Sequence, residues 1–204
     1  MVNNRISKLI IAVIISLLSG CSLQNKVPPT SKYLLKTSKN SAVSTAQGCQ
    51  KKVLRIGIIE SSALLNTRDI IYETDTGRSY SYTKARWMNS VNSQLSDLLA
   101  ASITRHKSFK SVIHLKSFAK NDLLLESSIY DFSQTIHDDG SSTLKVAVKL
   151  VLLEQYRRNI VASKLIEIEK KDVGGDVDSA VAGYSAMVSE LLQKSNAFLD
   201  ANCL

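Results

Sequence analysis

The sequence predicts a mixed α/β domain of the α+β type, with a mixed or antiparallel sheet and two long helices packed on one face. Three observations predict it. Seven stretches read as strands, several with apolar residues alternating at a period of two, and two further stretches recur at three- and four-residue spacing. Their order along the chain is β-β-β-α-β-β-β-β-α, with turn signals between several of the strands.

Each element has a local reason. Val53 to Glu60, "VLRIGIIE", is short and β-branched, the pattern of a buried strand. Ile70–Glu73 and Ser79–Tyr82 flank "TDTGR", where Gly77 is free to take positive φ, so they predict a hairpin. Trp87, Val91, Leu95, Leu98 and Leu99 predict an amphipathic helix from Arg86 to about Lys107. Phe109–Leu115 is a weaker strand. Asp122–Ile136 and Ser142–Tyr156 are long extended runs around "HDDGSS", a second hairpin. In the latter run Leu144, Val146, Val148, Leu150 and Leu152 line one face, while Lys145 and Lys149 mark the other. Ile160–Glu169 alternates as well, and "VGGD" then ends the sheet. Asp176 is a suitable N-cap for a helix of about six turns that holds Val177, Val181, Tyr184, Val188, Leu191 and Phe198 in phase.

Upstream of these elements the chain reads as an export signal. Leu9 to Leu18 is ten residues with one serine, about 15 Å as a helix, against a hydrocarbon core of about 30 Å. It cannot span a bilayer. Arg5 and Lys8 precede it and small residues follow, the plan of a secretory signal. Leu18-Ser19-Gly20-Cys21 is similar to the bacterial lipobox in all four positions, which implies cleavage before Cys21 and a diacylglyceryl group on its sulfur. With two or three acyl chains, as a bacterial lipoprotein would carry, attachment is effectively permanent. The expected organisation is therefore a signal peptide at 1–20, a lipidated cysteine and flexible basic tether at 21–48, and one globular domain at 49–204. Within the tether, Tyr33-Leu34-Leu35 is a short apolar island suited to an added edge strand. Residues 22–48, as a coil, would span about 30 Å.

Charge follows the same division. Between Ser22 and Lys52 there are six lysines and no acid, whereas from Val53 onward 18 basic and 18 acidic side chains cancel. The basic character thus lies next to the anchor, where it favours an anionic membrane surface over nucleic acid, or a solvated tether that touches nothing. Neutrality beyond Val53 argues against headgroup binding as the domain's main task. Of the three cysteines, Cys21 would be consumed by lipidation. Cys49 and Cys203, in an oxidising compartment, are candidates for a disulfide joining the two ends of the domain. Unpaired thiols and an intermolecular bridge stay open, because sequence supplies no distance.

Catalytic signals are sparse. His106, His114 and His137 have no second ligand type at metal-site spacing, and His137 beside Asp138-Asp139-Gly140 reads as turn chemistry. No Gly-x-Ser-x-Gly or phosphate-binding glycine loop occurs. The reading is a non-enzyme without cofactor or metal. Tyr72, Tyr80, Tyr82, Arg86 and Trp87 fall within sixteen residues. They form either an aromatic seam that packs the hairpin onto the helix or an exposed anchor for a partner.

A lipobox, a Tyr-Leu-Leu segment, the strand "VLRIGIIE", the hairpin "RDIIYETDTGRSYSYTKARW" and a closing helix together resemble the ABC-type transport auxiliary lipoprotein family. The resemblance implies a periplasm-facing lipoprotein that works with an MCE-domain protein and its ABC transporter in lipid traffic between the two membranes. It also implies that the protein can form a homo-oligomeric ring. Ser22 after the lipidated cysteine is compatible with the outer membrane. The mechanism expected is docking. The alternatives are a lipoprotein subunit of an outer-membrane secretion or envelope-assembly complex, and an exported hydrolase that would depend on His137 and Asp138.

Overall fold

The computed structural model describes residues 29–37 and 48–203. The signal segment 1–20, Cys21 and the tether outside 29–37 lie beyond the described residues. In chain order the elements are β1 (Ser31–Tyr33), β2 (Val53–Glu60), a 3₁₀ turn (Ala63–Asn66), β3 (Asp69–Thr74), β4 (Ser79–Trp87), α1 (Val91–His106), β5 (Ser111–His114), β6 (Leu123–Ile136), β7 (Ser141–Glu154), β8 (Asn159–Gly174) and α2 (Val177–Ala201). The eight strands form one mixed sheet, not closed into a barrel, and the fold is α+β.

β6 is the spine. One edge pairs antiparallel with β7, from Leu123 opposite Glu154 to Ile136 opposite Ser142, and β7 pairs antiparallel with β8. The other edge of β6 is shared between two parallel strands. β2 takes its first half (Leu54 opposite Leu123), and β3 takes its last residues (Glu73 opposite Thr135). Where the two diverge, Leu64 and Leu65 of the 3₁₀ turn line the gap together with Ile71 and Phe132. β5 extends the sheet beyond β2 in parallel, and β4 lies antiparallel to β3.

Alternation decides which face is covered. Leu144, Val146, Val148, Leu150 and Leu152 of β7 are buried under α2, and Leu54 and Ile56 of β2 under α1. Burying each such side chain stabilises the fold by about 1.5–3 kcal/mol. Gly183 lets α2 approach β7 closely, because a Cβ there would drive into Leu144. Asp176 caps α2 by accepting from the Ser179 N–H, and Ser90 caps α1 by accepting from Ser93 N–H. The helices meet where Asn196 Nδ2 donates to Ser102 Oγ at 3.0 Å. Among the described residues, no helix covers the other face of the sheet.

Two boundaries differ from the sequence reading. The first helix begins at Val91 and not at Arg86, since β4 runs through Trp87, whose N–H donates to Arg68 O at 2.7 Å. Trp87 shares the core with Val91, which is why it falls in helical phase while lying on a strand. Within the stretch read as tether, β1 docks parallel to β4 as an edge strand. Leu35 beyond it is buried, its N–H donates to Gln94 Oε1, and Tyr33 Oη donates to Asp178 Oδ1, both at 2.8 Å. The folded unit therefore includes residues upstream of Cys49.

Candidate docking site on the open sheet face

The uncovered face is built from the alternate residues of the same strands. Its rows run Leu124–Leu153, Glu126–Val151–Ser163 and Ser128–Lys149–Leu165 across β6, β7 and β8. Two bulges interrupt it. The register slips between Ile56 and Ile59 in β2, leaving Ile58 69% exposed, and between Ile129 and Asp131 in β6, beside Tyr130, which continues the open-face row of Ser128 and is 62% exposed. A bulge re-aims side chains and leaves one residue unpaired, which turns Ile58 out of the buried phase of Leu54 and Ile56, while Tyr130 stands outward by the same alternation as Leu124, Glu126 and Ser128.

Ile58 and Tyr130 frame a cleft of about 290 Å³ floored by Leu124 and Val151 and rimmed by Leu115, Glu126 and Lys149. On the far side of Ile58 a larger hollow of about 890 Å³ reaches the first turns of α1, where Asn92, Ser96 and Asp97 face His114 and Lys116. The arrangement sets exposed apolar side chains beside Glu126 and Lys149, the mixture that interface cores and their rims combine. Burying Ile58 and Tyr130 against a partner would gain about 1.5–3 kcal/mol each. Sequence reasoning missed both residues. The signal for Ile58 was a break in alternation, adjacent apolar residues in "GIIE", which marks a bulge, and the signal for Tyr130 was its phase with Leu124, Glu126 and Ser128.

The aromatic group divides. Trp87 is 3% exposed and makes edge contacts with Phe132 (centroids 6.4 Å) and Tyr184 (6.3 Å), while Phe132 stacks on Tyr184 at 4.2 Å. Burial pushes the Tyr184 phenol well above the ordinary tyrosine range. Tyr72 packs on Tyr82 at 4.8 Å and on Tyr80 at 5.6 Å. Tyr82 Oη lies 3.1 Å from Gln134 Oε1 and 2.9 Å from Gly175 O, and desolvation pushes its pKa up to about 12. Tyr80 and Arg86 are exposed, with Arg86 Nε 3.5 Å from Asp69.

Cys49 and Cys203 are bonded, with Cα atoms 5.1 Å apart, and tie the chain before β2 to the end of α2. Beside this bond the buried His106 pairs with Asp200 at 2.7 Å, and Ser108 Oγ donates to the other carboxylate oxygen at 2.6 Å. His137 bridges two hairpins: its Nδ1 lies 2.8 Å from Asp75 Oδ1 and its Nε2 2.9 Å from Thr143 Oγ1. Asp138 is in neither contact, and Asp139 is held below the usual carboxylate range by bonds from the Ser141 hydroxyl and N–H. His137 thus locks turns together. No group of three or more His, Cys, Asp or Glu that could hold a metal occurs among the described residues.

An open sheet face opposite two helices defines a small α+β module. The chain belongs to the family of the ABC-type transport auxiliary lipoprotein component, whose model matches residues 33–194. The match begins at Tyr33, inside the docked edge strand. In sequence the chain matches no curated protein. In structure it is similar to protein XCC0632 from Xanthomonas campestris, of family DUF330, with TM-score 0.75 at 12% identity, covering 85% of this chain and 96% of that one. It is also similar to an uncharacterized protein, with TM-score 0.59 at 12% identity, covering 84% of this chain and 99% of that one. At these identities the likeness shows the fold.

Proposed function

We propose that this auxiliary lipoprotein works in intermembrane lipid transport, anchored through Cys21 to the periplasmic face of the outer membrane. There it docks an MCE-domain protein served by an ABC transporter, and it acts by binding and not by catalysis. The observation that carries the docking role is the helix-free face with Ile58 turned outward at a bulge and Tyr130 standing beside it, both largely exposed. A protein fixed to one membrane meets its partner at high effective concentration, so a small apolar core within a polar rim suffices. Tyr80 and Arg86, exposed on the β3–β4 hairpin, are available as a secondary contact. Self-association into a ring would repeat the docking face around an axis.

The test is co-purification from gently cross-linked whole cells, comparing the native chain with the pair Ile58→Ser and Tyr130→Ser. The expected result is recovery of an MCE-domain protein with its permease and ATPase, reduced at least about tenfold in the double variant, the equivalent of about 1.4 kcal/mol. Recovery of secretion-channel components instead would overturn the transport role. Undiminished recovery with the variant would overturn the docking face.

A further inference from the structure

The linear charge balance beyond Val53 conceals a strong separation in space. Five segments meet at one end of the sheet. Lys110 N–H donates to Lys52 O, Asp122 N–H to Val53 O, and Gln155 N–H to Asp122 O, at 3.0, 3.0 and 2.9 Å. The Cys49–Cys203 bond and the His106–Asp200 pair bring the C-terminus to the same place. Residues 49–53, 105–111, 116–122, 154–159 and 200–203 carry nine basic and three acidic side chains, a net +6. Two of the three acids are engaged: Asp122 accepts from Val53 N–H, and Asp200 holds His106 and Ser108. Among the described residues Lys107, Lys110, Lys120, Arg157 and Arg158 make no ion pair.

Two aromatic rings stand out from this basic end. Phe118 is fully exposed and Tyr156 is 95% exposed. Phe118 is not on a loose loop. Arg55 donates through Nη1 to Ser117 O (2.8 Å), through Nη2 to Ala119 O (2.6 Å) and through Nε to Asn121 Oδ1 (2.8 Å), so the carbonyls on both sides of Phe118 are clamped. A buried-strand arginine thus holds an apolar ring in water, and Tyr156 adjoins Arg157-Arg158 at the tip of the β7–β8 turn.

We propose that this end of the domain is a membrane-contact face, which rests on an anionic phospholipid surface with Phe118 and Tyr156 entering the interface. The features match that occupant. The charge is spread over four loops, with aromatic tips on two of them, and this suits a fluid sheet of phosphate headgroups. Each basic residue brought to such a surface multiplies binding about fivefold, the equivalent of about 1 kcal/mol. The inference takes from the functional reading only the presence of a membrane nearby, and it fixes which end of the domain faces that membrane.

The test uses the lipidated full chain carrying Phe118→Trp in vesicles of phosphatidylcholine, with and without phosphatidylglycerol at about one-third of the lipid, and with brominated acyl chains as quencher. Trp87 is buried and serves as an internal folding reference. Expected is quenching of the added indole only in the anionic vesicles. The quenching is lost at about 0.5 M salt and lost when Lys107, Lys120, Arg157 and Arg158 are changed to Glu, with Gln at the same positions as the milder variant. No quenching in anionic vesicles, or equal quenching in neutral ones, overturns the proposal. So does a photo-cross-linker at position 118 that captures a protein and not lipid in cells. Retention on the vesicles reports the acyl anchor separately, so failure of the anchor and failure of this face are distinguishable.

Discussion

The two ends of the sheet carry opposite charge and use it differently. At the upper end the turns 74–79, 137–140 and 172–178 hold six aspartates against Arg78 and His137, and most of these carboxylates are committed locally. Asp75 binds His137, Asp139 takes two bonds from Ser141, Asp176 caps α2, and Asp178 accepts from Tyr33. At the other end the acids are few and the cations are left over, while the backbone that displays them is held by a disulfide and by the Arg55 clamp. The difference teaches which charges are structural. A carboxylate that accepts turn or cap N–H groups is already satisfied, whereas an unpaired lysine on a braced loop stays available to something outside the molecule.

The largest effect expected at the braced end is that of Cys203→Ser. It should cost about 2–4 kcal/mol in urea unfolding, and reductant should lower the native chain to the same level. A change under about 0.5 kcal/mol would mean that this end is held without the bond. Next is Arg55→Ala, which strips charge-assisted bonds from the 115–121 loop and should cost about 1.5–3 kcal/mol. Amide exchange should rise in that loop alone, and Lys should not rescue it, because a point charge lacks the guanidinium fork.

At the other end Asp176→Ala removes a helix cap and should cost about 1 kcal/mol. The hydroxyl and N–H of Ser179 hold the Asp176 carboxyl below its ordinary 3.8. Its contribution is therefore complete above that pH and fades as pH falls through the depressed value. Beside the more deeply buried Tyr184, Tyr82 contributes to the alkaline limit. With the folded phenol at about 12 and the unfolded one near 10, its contribution is present below pH 10 and lost as pH rises toward 12. A Tyr82→Phe chain should show a shallower alkaline limb, with the part due to Tyr184 retained. The smallest effect is that of His137→Ala, about 0–1 kcal/mol for a half-exposed pair, with no loss of partner recovery. Loss of a hydrolytic activity in that variant would instead revive the enzyme alternative.

How much was legible follows from range. The period-two run in β7 and the 3.6-residue period in α2 are local, and both elements form where the spacing places them. The Asp176 cap is local too. The start of α1 was misplaced because Trp87 packs into the same core from a strand. Half of the candidate site depended on range: Ile58 is exposed where pairing with the distant β6 slips by one residue, whereas Tyr130 faces outward by the local alternation of its own strand. The aromatic group was legible as a cluster, but burial splits Trp87 from Tyr80.

By itself the sequence determined which segments form strands and helices and which face of each is apolar, because those depend on neighbours within a few residues. It also carried the resemblance that the family match bears out. Only the tertiary structure decided that β2 and β3 share one edge of β6, that Cys49 meets Cys203, and that a neutral stretch of chain has a basic and an acidic end. These facts join residues up to 154 positions apart. Charge summed along a chain is indifferent to where loops go, whereas the field a partner feels depends on distance alone.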